Sequence, residues 1–451
     1  MAGAGFLRLA YFGRVPYNEL MSVPTKNWAG NQQCHPQSLH EPTSVDEVSR
    51  IVGAAHAAGE QVKVIAGGHS FTDAAMTHGH LLSLDKMKRV ISTDGNDVTV
   101  QAGIRLFDLN DELAKRGLAL PNLGDIAYQS IAGATSTATH GTGAGHGNIA
   151  TRIVGIELVT GDGTIRRADE ANDPELLRVA RVGVGSLGIL TEVTIRCVPA
   201  FNLHAVETIE TLADVVADFH GVMHSTDHAE FFWMPGARRC MVKRNTITDR
   251  PADPQSKIGY IKDKWIAENL AFGTVCRVAR SFPSLAPKVA KAITSSAGGR
   301  ETLDRSDKVF CSPRKVRFLE MEYGVPFDAV PDALGRIDAL IKTLPVKPIF
   351  PIEVRASAAD NIPLSTANSR ASGWIAVHQY KGMPYEAYFQ GVEQIMNDYS
   401  GRPHWGKMHY QSSHTLRARY PEWDTFQKWR AELDPAGTFR NTYTDRVLGG
   451  L

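Results

Sequence analysis

An amphipathic helix and a buried strand open the interpretable part of the chain. From Thr43 to Gly59, TSVDEVSRIVGAAHAAG, apolar residues recur at helical spacing, and Gly59 is a natural stop. Ser44 and Glu47 have the spacing of a capping box at the start of this helix. The next run, QVKVIA, is apolar and rich in β-branched residues, so we predict a strand that enters a turn of two glycines and His69.

Strands and helices continue to alternate along the chain. Two alternating arms around Asp94-Gly95 predict a hairpin, RLFDLNDELAKRG predicts a helix that stops at Gly117, and IVGIELVT and LTEVTIRCV predict strands. Beyond Pro199 the helical candidates lengthen, as in TLADVVADFHGVMH and VPDALGRIDALIKTL, and alternate with the strands FLEMEYGVPF and GWIAVHQY. This change predicts a second domain from about residue 200, with TDRPADPQSK as an exposed loop.

The length and net charge of the chain indicate which classes of binding partner are favoured. A chain of 451 residues exceeds the usual size of a single hydrophobic core, which agrees with two domains. Its 49 basic and 48 acidic residues leave a formal charge of +1, so bulk charge attracts neither nucleic acid nor an anionic membrane. The favoured partner is therefore a small neutral or weakly charged ligand.

Cysteine usage and hydropathy predict a cytoplasmic protein. The five cysteines are odd in number and show no metal-finger spacing, which favours reduced thiols. The N terminus lacks the continuous apolar core of a signal peptide, and no run reaches the roughly 18 residues of a membrane span. We expect no integral membrane segment and interpret residues 1–20 as an extension. The oligomeric state stays open.

Two glycine-rich segments could bring backbone N–H groups against a phosphate or a planar ligand. One is the turn AGGHS after the first strand, for which a plain tight connection is the alternative. The other, IAGATSTATHGTGAGHGNIA, has a flexible surface loop as its alternative. Neither contains the GxGxxG or P-loop pattern. Because His78, His80, His140 and His146 lack metal-ligand spacing and acidic neighbours, we predict no metal site.

Charged residues in the C-terminal half are candidates for catalysis. Glu353 and Arg355 lie two apart at the end of a predicted strand, so their side chains face the same side. The carboxylate could orient the guanidinium against negative charge on a ligand, although such pairs are also common as solvated ion pairs. His378 lies in an apolar strand, where a core histidine is the alternative. Lys407 belongs to PHWGKMHY, an unusually dense group of aromatic, imidazole and ammonium side chains.

Several motifs together resemble the sugar-lactone oxidases and dehydrogenases. They are VKVIAGGHSFTD, VTVQAGIRLFDLNDELAKRGLALPNLG, IAGATSTATHGTG, ELLRVARVGVGSLGILTEVTIRCVP, HWGK and DPAGTFRNTYTDRVLG. That family includes L-gulono-1,4-lactone and D-arabinono-1,4-lactone enzymes, has alditol oxidase as a near relative, and belongs to the vanillyl-alcohol-oxidase type of flavoprotein. The resemblance runs from about residue 27 to the C terminus and is thin between about 200 and 340.

The resemblance implies an α+β fold with two domains. One is a vanillyl-alcohol-oxidase-type (PCMH-like) FAD-binding domain over residues 27–199, and the other is a mixed α/β substrate (cap) domain over 200–414. Residues 415–451 would return to the FAD-binding domain, and residues 1–26 would be an N-terminal extension.

The resemblance also implies FAD as the cofactor, bonded covalently through its 8α-methyl group to His69. The residues that match the family's flavin-contacting positions are Ala66, Gly67, Gly68, His69, Ser70, Phe71, Thr72, Ser130, Gly133, Ala134, Ser136, Thr137, His140, Gly141, Thr142, Gly188, Ile189 and Val193. Glu353, Arg355 and Lys407 match the substrate-site trio, with His378 as a fourth member. In one departure, ATHG stands where GTHG is frequent.

The implied reaction oxidises a secondary alcohol carbon of an aldonolactone by hydride transfer to flavin N5, giving an ascorbate-type product. Oxygen or another acceptor then takes the electrons. A fixed cation near the flavin N1 and C2 carbonyl would lower the barrier, a role that fits Arg355. Glu353 would hold Arg355 and a substrate hydroxyl, and Lys407 would bind the hydroxyl being oxidised. The alternatives are an alditol oxidase acting on the primary alcohol of open-chain polyols, and a non-catalytic nucleotide- or sugar-binding protein.

Overall fold

Short strands and helices alternate along the chain in a computed structural model that describes residues 25–254, 276, 277, 280, 281, 299–312 and 316–450. Nearly all of the predicted extension over 1–26 lies outside the described residues, as does the end of the predicted loop TDRPADPQSK. None of the described helices has the length and apolar character that crossing a bilayer requires.

The bounds of the elements follow in chain order. The strands are β1 Ser38–His40, β2 Val62–Ile65, β3 His80–Ser83, β4 Val90–Asp94, β5 Asp97–Gln101, β6 Leu118–Ala119, β7 Ile153–Val159, β8 Ile165–Asp169, β9 Ile189–Arg196, β10 Val198–Pro199, β11 Asn202–Thr211, β12 His228–Trp233, β13 Arg239–Thr248, β14 Arg300–Arg305, β15 Phe318–Pro326, β16 Ile352–Ser357, β17 Ser372–Tyr380 and β18 Arg402–Pro403. The helices are α1 Val45–Ala58, α2 Leu106–Ala114, α3 Ile131–Ser136, α4 Pro174–Ala180, α5 Leu212–Ala217, α6 Phe219–Met223, α7 Ser306–Phe310, α8 Val330–Thr343, α9 Glu386–Asp398, α10 Ser413–Leu416, α11 Trp423–Leu433 and α12 Thr442–Leu448.

The described strands form four sheets. A parallel sheet has the order β1-β3-β2, and an antiparallel sheet has the order β4-β5-β9-β7-β8. A short antiparallel pair joins β6 to β10. The largest sheet is antiparallel with the order β14-β11-β13-β12-β16-β17-β15-β18, so it is built from chain segments beyond residue 200.

The first predicted helix is confirmed, with one change at its N terminus. The Ser44 hydroxyl accepts a hydrogen bond from Glu47 N at 3.3 Å, and Gly59 ends α1 in the left-handed region with a φ of 67°. The Glu47 carboxylate accepts from Thr43 N at 2.7 Å. The second half of the predicted capping box therefore belongs to Thr43 rather than to Ser44.

The helix predicted from TLADVVADFHGVMH is wrong as one continuous element. It divides into α5 and α6 at Asp218, whose backbone has a φ of −110° and a ψ of 42°. The Asp218 carboxylate accepts from Gly221 N at 3.2 Å. Aspartate favours such a cap over the helix interior because its short side chain competes for backbone N–H groups, which periodicity alone does not reveal.

Two large hydrophobic clusters divide the described chain. One joins Val193 and Ile195 of the five-stranded sheet to C-terminal helix residues such as Trp423 and Phe426. The other joins the eight-stranded sheet to α8 and α9, for example through Ile337. This division supports a C-terminal segment that returns to the first domain, and the boundaries after residues 199 and 414 stay a prediction.

The second glycine-rich segment is largely buried, which removes the surface-loop alternative. A Cβ on Gly141 would lie 2.1 Å from Asn122 Oδ1 and 2.3 Å from Leu123 O. Gly143 N donates to Ala356 O at 2.9 Å, so this segment is also tied to the large sheet. Gly145, in contrast, is exposed and has open space where a Cβ would lie.

We expect Gly141→Ala to lower the free energy of unfolding by about 1–3 kcal/mol, because its methyl group would overlap the Leu123 carbonyl oxygen. Gly145→Ala, in the same segment, is the matched control and should change stability by less than about 0.5 kcal/mol. Urea unfolding of the two variants at equal flavin content measures the difference. Equal stabilities would contradict the packing role of Gly141.

Candidate active site

One cavity lies where the strand β2, both glycine-rich segments and the large sheet meet. Its first wall is mostly backbone and small side chains, supplied by residues 62–70, by the start of α3 and by residues 184–190. Its opposite wall carries charged side chains from the large sheet, and the segment that follows β18 closes one side with His404, Gly406 and Lys407. The cavity therefore combines a backbone-lined part with a charged part.

Backbone geometry requires both glycines of the AGGHS turn. A Cβ on Gly67 would lie 2.5 Å from Tyr128 O, and Gly68 has a φ of 63°. The turn carries His69 into the cavity, where its Nδ1 atom is buried without a hydrogen-bond partner in the described part of the chain. Burial, with smaller contributions from nearby cations, lowers the pKa of His69 to about 4, so its imidazole is neutral at physiological pH.

The strand register explains why the charged side chains share one wall. Glu320 of β15 pairs with His378 of β17, and Ala376 of β17 pairs with Glu322 on one side and with Glu353 of β16 on the other. Alternate residues of a strand face the same side of a sheet, so these side chains point in one direction. Residues two apart within one strand thus share a face of the sheet with residues of the two neighbouring strands.

Arg355 lies between two buried carboxylates. Its Nε atom is 2.9 Å from Glu230 Oε2, and its Nη2 atom forms an ion pair with Glu353, which is only 8% exposed. Burial, and then the negative charges of Glu230 and Asp125, raise the pKa of Glu353 to about 7 against the opposing effect of Arg355. The predicted Glu353–Arg355 pair is therefore buried in the cavity wall, and the solvated-pair alternative is wrong.

Lys407 and His378 share the carboxylate of Glu320. The Lys407 ammonium forms an ion pair with Glu320, and His378 Nε2 lies 3.5 Å from Glu320 Oε1. His378 Nδ1 donates to Pro351 O at 2.9 Å, which fixes the ring orientation. Burial alone would raise the pKa of Glu320, but Lys407 and His378 outweigh it and lower the pKa to about 2. This carboxylate is therefore ionised, and it holds the Lys407 ammonium and the His378 ring in the cavity.

A second buried carboxylate, Glu322, pairs with His140. His140 Nε2 lies 3.2 Å from Glu322 Oε1, and the imidazole stacks on Trp374 with ring centroids 3.6 Å apart. Although burial opposes it, His140 holds the pKa of Glu322 well below its usual range. His404 brings a third ligating atom, and the three groups lie within 4.8 Å of one another. Because the ion pair already satisfies His140 and Glu322, the absence of a metal site stays our prediction.

Most of the predicted site residues meet in this cavity. All four substrate-side residues line it, and so do Ala66, Gly67, Gly68, His69, Ser70, Ser130, Gly133, Ser136, Thr137, His140, Gly188 and Ile189. Six predicted cofactor residues are absent from its lining, namely Phe71, Thr72, Ala134, Gly141, Thr142 and Val193. Phe71 lies under the Lys407 ammonium, 5.2 Å from ring centroid to Nζ, and Val193 packs in a hydrophobic cluster. These six belong to the same chain segments as the lining residues.

The sequence model of the family described as D-arabinono-1,4-lactone oxidase matches residues 193–447, more than half of the chain. The chain belongs to this family. An FAD-binding domain model matches residues 36–169. The protein is thus an FAD-linked oxidoreductase, as the motifs predicted.

Relatives agree over the full chain. An L-gulono-1,4-lactone dehydrogenase of Mycobacterium tuberculosis is 42% identical over 95% of this chain and 100% of its own length. An L-gulonolactone oxidase of Bos taurus is 32% identical over 94% of this chain and 98% of its own. A solved cholesterol oxidase superposes with a TM-score of 0.79 at 19% identity, covering 93% of this chain and 96% of its own, and confirms the predicted vanillyl-alcohol-oxidase-type fold.

The residues of the cavity fit FAD. The buried His69 Nδ1 atom has a lone pair or N–H group without a partner among the described residues, and the lining residues Gly67, Gly133 and Gly188 present backbone to a flat or diphosphate-bearing ligand. The charged wall lies on the other side, where a substrate needs hydrogen-bond donors and acceptors.

Among the lining residues that the sequence interpretation missed are three buried charged side chains. Glu320 and Glu322 lie two apart in the apolar strand FLEMEYG, the same signal that singled out Glu353 and Arg355. Lys63 lies in QVKVIA and is buried, with its ammonium donating to Gly185 O at 3.0 Å and to Phe439 O at 2.9 Å. Burial lowers its pKa to about 7. A charged residue inside an apolar strand was the common signal.

We expect Glu353→Gln to change how stability depends on pH. Folding raises the pKa of Glu353 from 4.5 to about 7, so the contribution of this carboxyl to stability is present below about pH 4.5 and is lost as pH rises toward 7. The variant, which cannot titrate there, should gain stability relative to the wild type over that interval.

Urea unfolding at several pH values between about 4.5 and 7.5 measures this difference. Asp249→Asn, at an exposed position just after β13, is the control and should run parallel to the wild type. If Glu353→Gln also ran parallel, the raised pKa of Glu353 would be refuted.

Proposed function

We propose that the protein oxidises a secondary alcohol carbon of an aldonolactone of the gulono-, galactono- or arabinono-1,4-lactone type and releases an ascorbate-type product. The observation that carries this proposal is a cavity in which His69 shares the lining with two buried cation–carboxylate pairs, Arg355 with Glu353 and Lys407 with Glu320. The names of two relatives, an L-gulono-1,4-lactone dehydrogenase and an L-gulonolactone oxidase, support the substrate class.

FAD, when bound, supplies a two-electron acceptor for the hydride at its N5 atom. The chain supplies the remaining requirements. When the carbon loses its hydride, the attached hydroxyl oxygen loses its proton, and Glu353 can take up that proton near neutral pH because its pKa lies at about 7. Arg355 provides a fixed positive charge where negative charge develops, since its guanidinium is already held by Glu353 and Glu230.

Lys407 and His378 orient the polyol. The ammonium group can donate to the hydroxyl that is oxidised while Glu320 keeps it in place, and the His378 ring lies beside the same carboxylate. A buried site built from such donors discriminates strongly against analogues that lack the matching hydroxyl group, because the site would then keep unpaired polar atoms.

We also propose that His69 carries the flavin through a covalent bond and that the enzyme is cytoplasmic. The neutral, buried imidazole with its unpartnered Nδ1 atom supports the bond. Five cysteines without a disulfide support a reducing compartment. The acceptor is oxygen or another oxidant, and both the oxidase and the dehydrogenase names occur among the relatives.

Anaerobic reduction of the flavin tests the substrate. We expect gulono-, galactono- or arabinono-1,4-lactone to bleach the flavin faster than xylitol, because the site oxidises a secondary alcohol of a ring. Faster turnover of xylitol would reject the lactone in favour of an alditol. Admission of oxygen after reduction then distinguishes an oxidase from a dehydrogenase by the rate at which the yellow colour returns.

The same assay tests Arg355→Lys. Lysine keeps the positive charge but lacks the planar guanidinium that contacts Glu230 and Glu353 at the same time. Reduction at saturating lactone should slow by roughly 10²-fold at unchanged flavin content. Arg244→Lys replaces an arginine that pairs with Glu210 on a neighbouring strand and does not line the cavity, so it should reduce normally. Normal reduction in Arg355→Lys would reject its catalytic role.

For the tether, we expect His69→Ala to release all its flavin into the supernatant on acid precipitation, while the wild type keeps its flavin in the pellet. His204→Ala, whose ring pairs with Glu301 on the large sheet outside the cavity lining, is the control and should retain flavin like the wild type. Wild-type flavin that is released as readily as that of His69→Ala would rule out the bond.

A further inference from the structure

Two aromatic rings flank the imidazole of His69. The Trp28 ring is stacked on it with centroids 5.6 Å apart and an interplanar angle of 26°, and the Tyr128 ring with centroids 5.8 Å apart and an angle of 20°. Each of the two ring planes is thus within 26° of the imidazole plane. Side-chain rotation of a histidine that is stacked on two rings is restricted, because turning the imidazole would drive its edge toward a neighbouring face.

The backbone around Trp28 is attached to the turn that carries His69. Trp28 N donates to Gly68 O at 2.7 Å, Asn27 Nδ2 donates to Ser70 O at 2.9 Å, and the Asn31 side chain donates to Phe71 O at 2.9 Å. The carbonyl groups on both sides of His69 are thus satisfied by one short segment, residues 27–31. This segment fixes the position of Trp28 relative to the imidazole.

Tyr128 reaches His69 from a different part of the chain. Its carbonyl oxygen accepts from Arg105 Nη1 at 3.1 Å and lies so close to Gly67 that a Cβ there would be 2.5 Å away. The Tyr128 carbonyl group therefore packs against Gly67, and the Tyr128 ring stacks on His69 of the same turn. Two separate segments converge on one imidazole, although neither supplies a hydrogen bond to its Nδ1 atom within the described residues.

We propose that Trp28 and Tyr128 are positioning residues that hold the His69 imidazole in the orientation needed for covalent attachment of the flavin. This inference rests on the tether of the proposed function. A reaction between two groups proceeds fast only when the reacting atoms are held in line, and a displacement of about 1 Å can slow it by roughly 10²-fold. The stacked rings supply that alignment and leave the nitrogen lone pair unoccupied.

Attachment of the flavin to the imidazole is a two-electron oxidation. One C–N bond forms between the imidazole nitrogen and the 8α-carbon of FAD, while one C–H bond of the 8α-methyl group and the imidazole N–H bond break. Two electrons and two protons leave in total. A two-electron oxidant such as molecular oxygen, which becomes hydrogen peroxide, takes them up. Trp28 and Tyr128 exchange neither protons nor electrons in this step and act only on the position of the ring.

Purified holoenzyme tests the proposal through the fraction of flavin that stays in an acid-precipitated pellet, sampled at fixed times after induction of expression. In Trp28→Leu and Tyr128→Leu, we expect attachment to slow by roughly 10- to 100-fold relative to the wild type. Total flavin per protein should stay the same. Trp28→Phe and Tyr128→Phe, which keep a ring, should restore the wild-type time course.

Phe107→Leu is the matched control. Phe107 is 38% exposed and contacts the Tyr128 ring edge-on at 5.7 Å, so its removal perturbs the same neighbourhood without unstacking His69. Attachment in this variant should follow the wild type. If Trp28→Leu fails to fold, Tyr128→Leu still tests the stacking, because the two residues belong to different segments.

The results can distinguish failure of the positioning role from absence of the covalent bond to flavin. Wild-type rates of attachment in both leucine variants, with a wild type that retains its flavin, would overturn the positioning role and leave the tether intact. A wild type that releases all its flavin in acid would overturn both. Slowed attachment in Phe107→Leu to the same extent would show a general packing effect and would also reject the specific role of stacking.

Discussion

The charged wall of the cavity depends on a guanidinium held between two buried carboxylates. Removing a charge from water costs several kcal/mol unless a partner of opposite charge and good geometry replaces the water. Arg355 meets that condition because its planar fork serves Glu230 through Nε and Glu353 through Nη2 at the same time. The two carboxylates share one guanidinium. Glu230 has Lys243 as a second cation, whereas burial raises the pKa of Glu353 to about 7 against the effect of Arg355.

The rest of the charged wall is paired in the same way. Lys407 has Glu320, His140 has Glu322, and Glu230 also has Lys243 at 3.5 Å. A wall with charges balanced in this manner offers strong hydrogen-bond donors and acceptors without a large net charge. Such a surface suits a polyhydroxylated, uncharged ligand better than a phosphate or a carboxylate, which agrees with the near-neutral charge of the whole chain.

The two walls are mechanically joined at the turn of His69. Phe71 N donates to Gly406 O at 2.8 Å, and the Ser70 hydroxyl donates to the same oxygen at 3.3 Å. Gly406 directly precedes Lys407, so His69 on the backbone-lined wall and the Lys407 ammonium on the charged wall belong to hydrogen-bonded segments. The distance between the two functional groups is therefore set by backbone hydrogen bonds rather than by long flexible side chains.

The sequence by itself determined most of the local elements discussed above, the family, and the two glycine-rich segments and four charged or imidazole residues that line the cavity. Periodicity and caps were enough for α1, and the i, i+2 spacing was enough to predict that Glu353 and Arg355 share a face, because these features depend only on neighbours along the chain. Tertiary structure alone decided which partners these groups meet. Glu230, Glu320 and Trp28 come from distant segments, and only strand register and docking of the N-terminal segment bring them to Arg355, Lys407 and His69. Pairing across strands is set by the packing of the whole sheet, and a linear pattern does not contain it.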